Sequence, residues 1–147
     1  MRLLTYSTLY PNAAQPNHGV FVENRLRHLV ATGRVESRVV APVPWFPSRH
    51  PAFGSYAAFA AAPAFEERHG LSIEHPRFPV IPKFGMTVAP WLLYRFTLGT
   101  VQRLQARGYD LQAIDAHYFY PDGVAAALIA RRLGKPLVIT ARGTDVS

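Results

Sequence analysis

The chain predicts an α/β domain built on a doubly wound parallel sheet with helices on both faces. Three observations carry this. Short apolar runs alternate with longer amphipathic segments from Arg2 to Ile139, and parallel strands need crossovers, which are usually helices. The runs Val39-Val40-Ala41-Pro42-Val43 and Leu137-Val138-Ile139 are nearly continuous in apolar character, as strands covered on both faces are. The amphipathic segments stop at glycines, namely Gly33, Gly108 and Gly134, residues that close helices in a left-handed conformation.

Taken in order, Arg2 to Thr8 reads as the first strand, with Leu3, Leu4 and Tyr6 apolar. A polar loop from Tyr10 to Gly19 leads into a helix whose Val22, Leu26, Leu29 and Val30 share one face. Glu23 and Arg27 are spaced for an i,i+4 pair on another face. Ser37 to Val43 is the second strand, after which Pro42, Pro44, Pro47 and Pro51 break the chain into an irregular segment carrying Trp45 and Phe46. Tyr56 to His69 is alanine-rich and at best partly helical, because Pro63 interrupts it. Leu71 to His75 alternates apolar and polar residues, the pattern of a third and more exposed strand.

A second proline-rich loop, Pro76 to Pro90, precedes a helix from Trp91 to Arg107 with Tyr94, Leu98, Val101 and Leu104 on its inner face. Its start, Trp91-Leu92-Leu93-Tyr94-Arg95-Phe96, is apolar nearly all round. Burial in the core is the favoured reading, with a membrane- or acceptor-facing patch continuous with Lys83 and Phe84 as the alternative. Leu111 to Ala116 is the fourth strand. Asp122 is placed to cap the next helix, whose inner face holds Val124, Leu128 and Ile129. Arg131 and Arg132 complement the dipole in its last turn. Leu137 to Ile139 is the fifth strand, parallel and central.

Composition narrows the class. With 147 residues, 49% hydrophobic and 17% charged, the chain fits one globular domain with a core of its own. Its lack of cysteine excludes disulfides and thiolate metal sites. No run is long and apolar enough to span a bilayer, and Arg2 to Ser7 is too short and polar for a secretory signal, which fits a cytoplasmic protein. The net charge is +7, but the bases are scattered, the densest group being Arg131, Arg132 and Lys135. A nucleic-acid binder concentrates them on one element. A solvated basic surface is the plain reading, with an anionic partner (lipid headgroup, nucleotide or polyanionic acceptor) beside it.

In doubly wound sheets ligands bind beyond the carboxyl ends of the strands. Three polar segments follow strand ends: Asn17-His18-Gly19, His117 to Gly123, and Arg142-Gly143-Thr144-Asp145. Gly19 is either a flexible helix start or a point where backbone N–H groups approach a phosphate. His117 is either a structural histidine or a group that hydrogen-bonds a sugar hydroxyl or a leaving phosphate. Asp115 alternates onto the same strand face. Arg142 to Asp145 is either a strand-ending turn or a cation and a carboxylate at a pocket rim. Asp122 reads as a cap rather than a catalytic acid. The six histidines show no H-x-x-x-H or H-E-x-x-H spacing, so no metal site is expected. Neither a P-loop nor a G-x-G-x-x-G follows a strand, and no G-x-S-x-G elbow is present.

These residues resemble a known family. Asp115-Ala116-His117-Tyr118-Phe119-Tyr120-Pro121-Asp122-Gly123, then Gly134-Lys135-Pro136-Leu137-Val138-Ile139-Thr140, then Gly143-Thr144-Asp145, are similar to the amino-terminal half of retaining glycosyltransferases of family 4. Tyr10-Pro11 and His18-Gly19-Val20-Phe21-Val22 agree with it. The resemblance covers essentially the whole chain and is most specific in its second half. It implies residues 1–147 to be the Rossmann-like, acceptor-side domain of a two-domain GT-B enzyme, incomplete and inactive alone, with the donor-binding domain absent. It implies a nucleotide-sugar donor, a glycan or lipid-linked acceptor, no cofactor or metal, and work at the inner face of the plasma membrane. By match, Gly19 lies near the donor diphosphate, His117 near the transferred sugar, and Asp145 near the acceptor or the cleft, with Arg142 standing where the family often has histidine. Retention in such enzymes is drawn as front-face displacement, which asks the protein mainly to position groups and stabilise the leaving charge. The competing expectations are a non-catalytic Rossmann-like binding module and a GT-B sugar-nucleotide epimerase.

Overall fold

A computed structural model of the chain describes residues 1–8, 10–11, 14, 19–45, 60–79, 85–117 and 119–140. Its elements are β1 (Arg2–Tyr6), α1 (Val20–Ala31), β2 (Glu36–Val40), β3 (Val43–Pro44), β4 (Phe65–Arg68), β5 (Leu71–Glu74), β6 (Arg77–Phe78), α2 (Gly85–Ala106), β7 (Ala113–His117), α3 (Val124–Leu133) and β8 (Leu137–Thr140). Six strands form one sheet in the order β4-β5-β2-β1-β7-β8, and β3 pairs with β6 separately. All neighbours in the large sheet run parallel except the β4–β5 hairpin.

Helices cover both faces, and the strand alternation explains which residues meet them. On one face Leu4, Tyr6, Val40, Ile114 and Ala116 pack with Leu93, Val101 and Leu104 of α2 and with Ala125, Ala126 and Ile129 of α3. On the other face Val39, Leu71 and Ile73 pack with Val22 and Leu26 of α1 and with Tyr10. Burying a leucine or isoleucine this fully contributes about 1.5–3 kcal/mol each. The doubly wound, Rossmann-like architecture expected from the sequence is therefore the one observed.

Several local expectations change. The segment ending at His69 is not a partial helix at its carboxyl end. Phe65–Arg68 is a strand, joined to β5 by His69 and Gly70, both at positive φ (53° and 79°). Two central residues at positive φ make the two-residue hairpin turn whose twist matches the flanking strands. Strand β5 is not exposed: Leu71 and Ile73 are buried. The second strand stops at Val40, and Val43–Pro44 pairs with Arg77–Phe78 instead. Helix α2 starts at Gly85 with Pro90 inside it.

The buried face of α2 is rotated to Leu93, Thr97, Thr100, Val101 and Leu104, leaving Tyr94 and Leu98 only partly buried. This is tolerated because Thr97 donates to the Leu93 carbonyl and accepts from the Tyr6 hydroxyl at 2.9 Å. Trp91 and Phe96 face solvent, with Trp91 61% exposed, so the apolar start of this helix is not wholly core. In α3, Val124 is exposed, and Ala125 and Ala126 take the inner face with Ile129. β8 is parallel but outermost among the described strands, and Val138 is 56% exposed.

Candidate functional site

The sheet changes direction at β1. β2 lies on one side of it and β7 on the other, and the helices that follow β1 and β7 go to opposite faces. Connections that diverge in this way open a crevice beyond the carboxyl ends of the two strands, where ligands of doubly wound sheets bind.

Two loops are joined across that crevice. Thr8, just past β1, donates its backbone N–H to Asp122 Oδ2 at 2.8 Å and its hydroxyl to Asp122 Oδ1 at 2.9 Å. Asp122 is buried within the wide turn Phe119–Gly123 that precedes α3. Its described hydrogen bonds thus brace the opposite loop. The position before α3 is Gly123, which makes no side-chain cap, so the sequence-based cap assignment gives way to a bracing role. Tyr6 lies beneath. Burial, more than the nearby Asp122 charge, pushes its phenol far above the usual range, so it remains a neutral donor to Thr97.

His117 ends β7 on the α1 face of the sheet, at the carboxyl edge next to the switch point, and is 1% exposed. Its Nε2 lies 3.6 Å from Asp115 Oδ2, two residues earlier on the same face, confirming the alternation expected from the sequence. His117 is paired in register with Thr140 at the end of β8. Thr140 accepts a hydrogen bond at 2.9 Å from Arg25, which reaches over from α1. The carboxyl ends of β7 and β8 thus carry an imidazole, a hydroxyl and a guanidinium close together.

Gly19 starts α1 at φ 69° and ψ 30°, the left-handed region, and its carbonyl accepts from Val22 and Glu23 N–H at 3.0 and 3.4 Å. A side chain here would meet its own backbone. Glycine thus serves the turn itself as well as any close approach of a ligand. Glu23, in the first turn, points inward and pairs with Arg68 at 2.8 Å and His69 at 3.7 Å, so its expected surface pairing with Arg27 is replaced by a buried one. Asn17, His18, Arg142, Gly143, Thr144 and Asp145 lie outside the described residues, as do Phe46, Tyr56, Lys83 and Phe84. Of the sequence-based site residues, the structure therefore places Gly19 and His117.

Thr8, Arg25 and Thr140 were missed. Thr8 and Thr140 carry a signal, being hydroxyls at the carboxyl ends of adjacent or near-adjacent parallel strands. Arg25 carries none, because its role depends on where α1 docks. Among the described residues no three His, Asp or Glu side chains converge as a metal would need, and no helix is long and apolar enough to cross a membrane. A cavity of about 560 Å³ lies elsewhere, lined by Arg2, Glu36, Arg38, Phe65, Glu74 and Tyr109 among others. Within its lining Arg107 faces Glu74 at 3.9 Å and Arg38 lies over the Tyr109 ring, while Arg2 turns to Asp110 at 3.4 Å outside it. That makes it a solvated, partly self-paired trough.

No protein-family model matches the chain. Over 148 aligned residues, covering all of it, the chain is 26% identical to the Bacillus subtilis (strain 168) protein named "Putative teichuronic acid biosynthesis glycosyltransferase TuaC". The chain spans 37% of that protein's length. From β1 to the end of β8, then, the chain is similar to part of a glycosyltransferase.

Proposed function

We propose that the chain is the acceptor-side domain of a retaining glycosyltransferase of GT-B architecture, allied to family 4. It works with a second domain that holds a nucleotide-sugar, and it is inactive without it. The sugar passes to a glycan or lipid-linked acceptor in the building of a cell-surface polysaccharide or glycolipid. The observation that carries this reading is the joining of the β1 and β7 loops at the switch point by the Thr8–Asp122 hydrogen bonds, beside the buried His117, in a chain similar along its whole length to a glycosyltransferase.

A crevice at the switch point suits transfer between two bound substrates. The reading puts the donor diphosphate at the left-handed start of α1 at Gly19, because the positive end of a helix favours an anion. His117 then lies below the transferred sugar, and Arg142, Gly143 and Asp145 complete the acceptor side. The exposed Trp45, Trp91 and Phe96, on a chain of net charge +7, support peripheral contact with an anionic membrane at its cytoplasmic face.

The test is to assay the intact enzyme that carries this chain with a panel of nucleotide-sugars and acceptors, following nucleoside diphosphate release and the anomeric configuration of the product. The reading expects acceptor-dependent release with retention. Nucleotide-sugar turnover without acceptor would favour an epimerase, and binding without turnover would favour a non-catalytic module.

A further inference from the structure

The α1 face of β7 carries a carboxylate whose placement the fold does not require. Asp115 is 6% exposed in the middle of the sheet, and its Oδ1 has no hydrogen-bond partner. Its register neighbours are Thr5 on β1 and Val138 on β8. The Thr5 hydroxyl is committed to the Ser37 hydroxyl at 2.8 Å, and Val138 has no polar group to offer. Arg25, the guanidinium that α1 brings to this region, gives its described hydrogen bond to Thr140. Among the described residues the group at ion-pair distance from the carboxylate is the His117 imidazole, with Nε2 at 3.6 Å from Oδ2.

A buried carboxylate with one oxygen left unbonded is costly in a core, and an apolar residue here would be tolerated more easily. The sheet places the carboxylate two residues before the buried His117 imidazole at the carboxyl end of β7. The separation is an ion-pair distance, longer than a direct hydrogen bond, and catalytic contacts are commonly long before substrate binds.

We propose that Asp115 is a positioning residue for His117: its carboxylate holds the imidazole with Nε2–H turned inward, which fixes the ring orientation and tautomer beside the switch point. Asp115 does not touch substrate. It acts through His117, as a carboxylate behind an imidazole does wherever the ring must present one chosen nitrogen. The functional part of this proposal rests on the glycosyltransferase reading, while the orientation and tautomer of the ring do not.

The experiment has two arms. In the intact enzyme, kcat and KM are measured for Asp115→Asn, His117→Ala and the double variant. Asp115→Asn should lower kcat by about tenfold with KM within about twofold, and should cause no further loss when His117 is already alanine. Losses that multiply in the double variant would overturn the proposal. In the second arm, the imidazole ¹⁵N resonances of His117 are recorded in the native protein and in Asp115→Asn. The native ring should hold the Nε2–H tautomer, and the variant should become a tautomer mixture. Identical ¹⁵N shifts in the two would overturn the proposal whatever the kinetics. Thermal unfolding of Asp115→Asn and of Asp115→Ser identifies a variant that has merely lost its fold, and the one that keeps the native transition is used. If no nucleotide-sugar is turned over at all, the transferase reading fails, and the ¹⁵N spectrum alone then decides the role of Asp115.

Discussion

The backbone N–H and the hydroxyl of Thr8 both donate to the carboxylate of Asp122, at 2.8 and 2.9 Å, across 114 residues of sequence. One buried side chain therefore holds the β1 loop against the β7 loop, and the width of the crevice depends on it. Replacing Asp122 by alanine removes the acceptor of two part-buried donors of Thr8. The expected cost is about 1–2 kcal/mol, since a hydrogen bond to a charged group contributes about 1.5–3 kcal/mol and partial exposure of Thr8 lets water replace some of it. Asp122→Asn keeps one acceptor oxygen and should cost about half as much. Urea unfolding measures both, and a loss below about 0.5 kcal/mol for the alanine variant would show that the brace carries no weight.

That relationship was not legible in the sequence, and the reason is physical. Asp122 stands before an apolar helical run, and local patterns assign such residues to caps. Only the pairing of β1 with β7 brings Thr8 within reach. What could be read was the alternation of apolar runs with amphipathic segments, Val22 and Leu26 on the inner face of α1, and the helix stops at Gly33, Gly108 and Gly134. The inner face of α2 was misread because Thr97 and Thr100 look polar, yet the Thr97 hydroxyl is satisfied inside by Leu93 and Tyr6. Strand β4 was missed because Phe65-Glu66-Glu67-Arg68 carries three charges, which suit an edge strand that must avoid pairing with other chains. The His69-Gly70 turn was the overlooked signal. At the site, Asp115 and His117 fell on one face as alternation requires, whereas Arg25 beside Thr140 needed the docked helix.

The Glu23–Arg68 pair fastens α1 to the hairpin. Glu23 is buried and Arg68 partly so, and the hydrogen bond to Glu23 raises the Arg68 pKa further above its already high value. Arg68→Ala would leave a buried carboxylate whose remaining ion pair among the described residues is His69 at 3.7 Å. A fully buried pair broken on one side costs about 3–5 kcal/mol. The exposure of Arg68 and the proximity of His69 reduce the expectation to about 2 kcal/mol. Adding Glu23→Gln to Arg68→Ala should recover part of that loss, and denaturant unfolding of the two variants provides the comparison.

His75 makes stability depend on pH. Its ring is fully buried, its Nδ1 bonds the Ala41 carbonyl at 2.9 Å, and its Nε2 lies 3.7 Å from Glu66. Burial lowers its pKa below 6.5, outweighing the hydrogen bond to Ala41 and the pull of Glu66. The unfolded chain therefore takes up a proton near 6.5 that the folded chain resists, so this contribution is complete above that pH and is lost as pH falls toward the folded value. The urea midpoint should accordingly decline between about pH 7 and pH 5. His75→Asn retains a donor for Ala41 without titrating and should flatten the decline. An equally steep pH dependence in that variant would assign the effect elsewhere.

Gly19 separates folding from function. At φ 69° it occupies a region where a side chain costs about 1–2 kcal/mol, so Gly19→Ala should destabilise by about that amount in urea unfolding. Asparagine tolerates this conformation far better than alanine, and Gly19→Asn should recover most of the stability. The proposed role beside a donor diphosphate predicts something different for binding. Any Cβ at the start of α1 keeps the diphosphate from the backbone N–H groups, so both variants should raise the KM for nucleotide-sugar by about tenfold or more, equivalent to about 1.4 kcal/mol. If asparagine restores KM together with stability, Gly19 serves only the turn, and the diphosphate must be held elsewhere on the rim. If stability returns and KM does not, the left-handed start of α1 is a binding element whose glycine is needed for what approaches it as well as for the turn it makes.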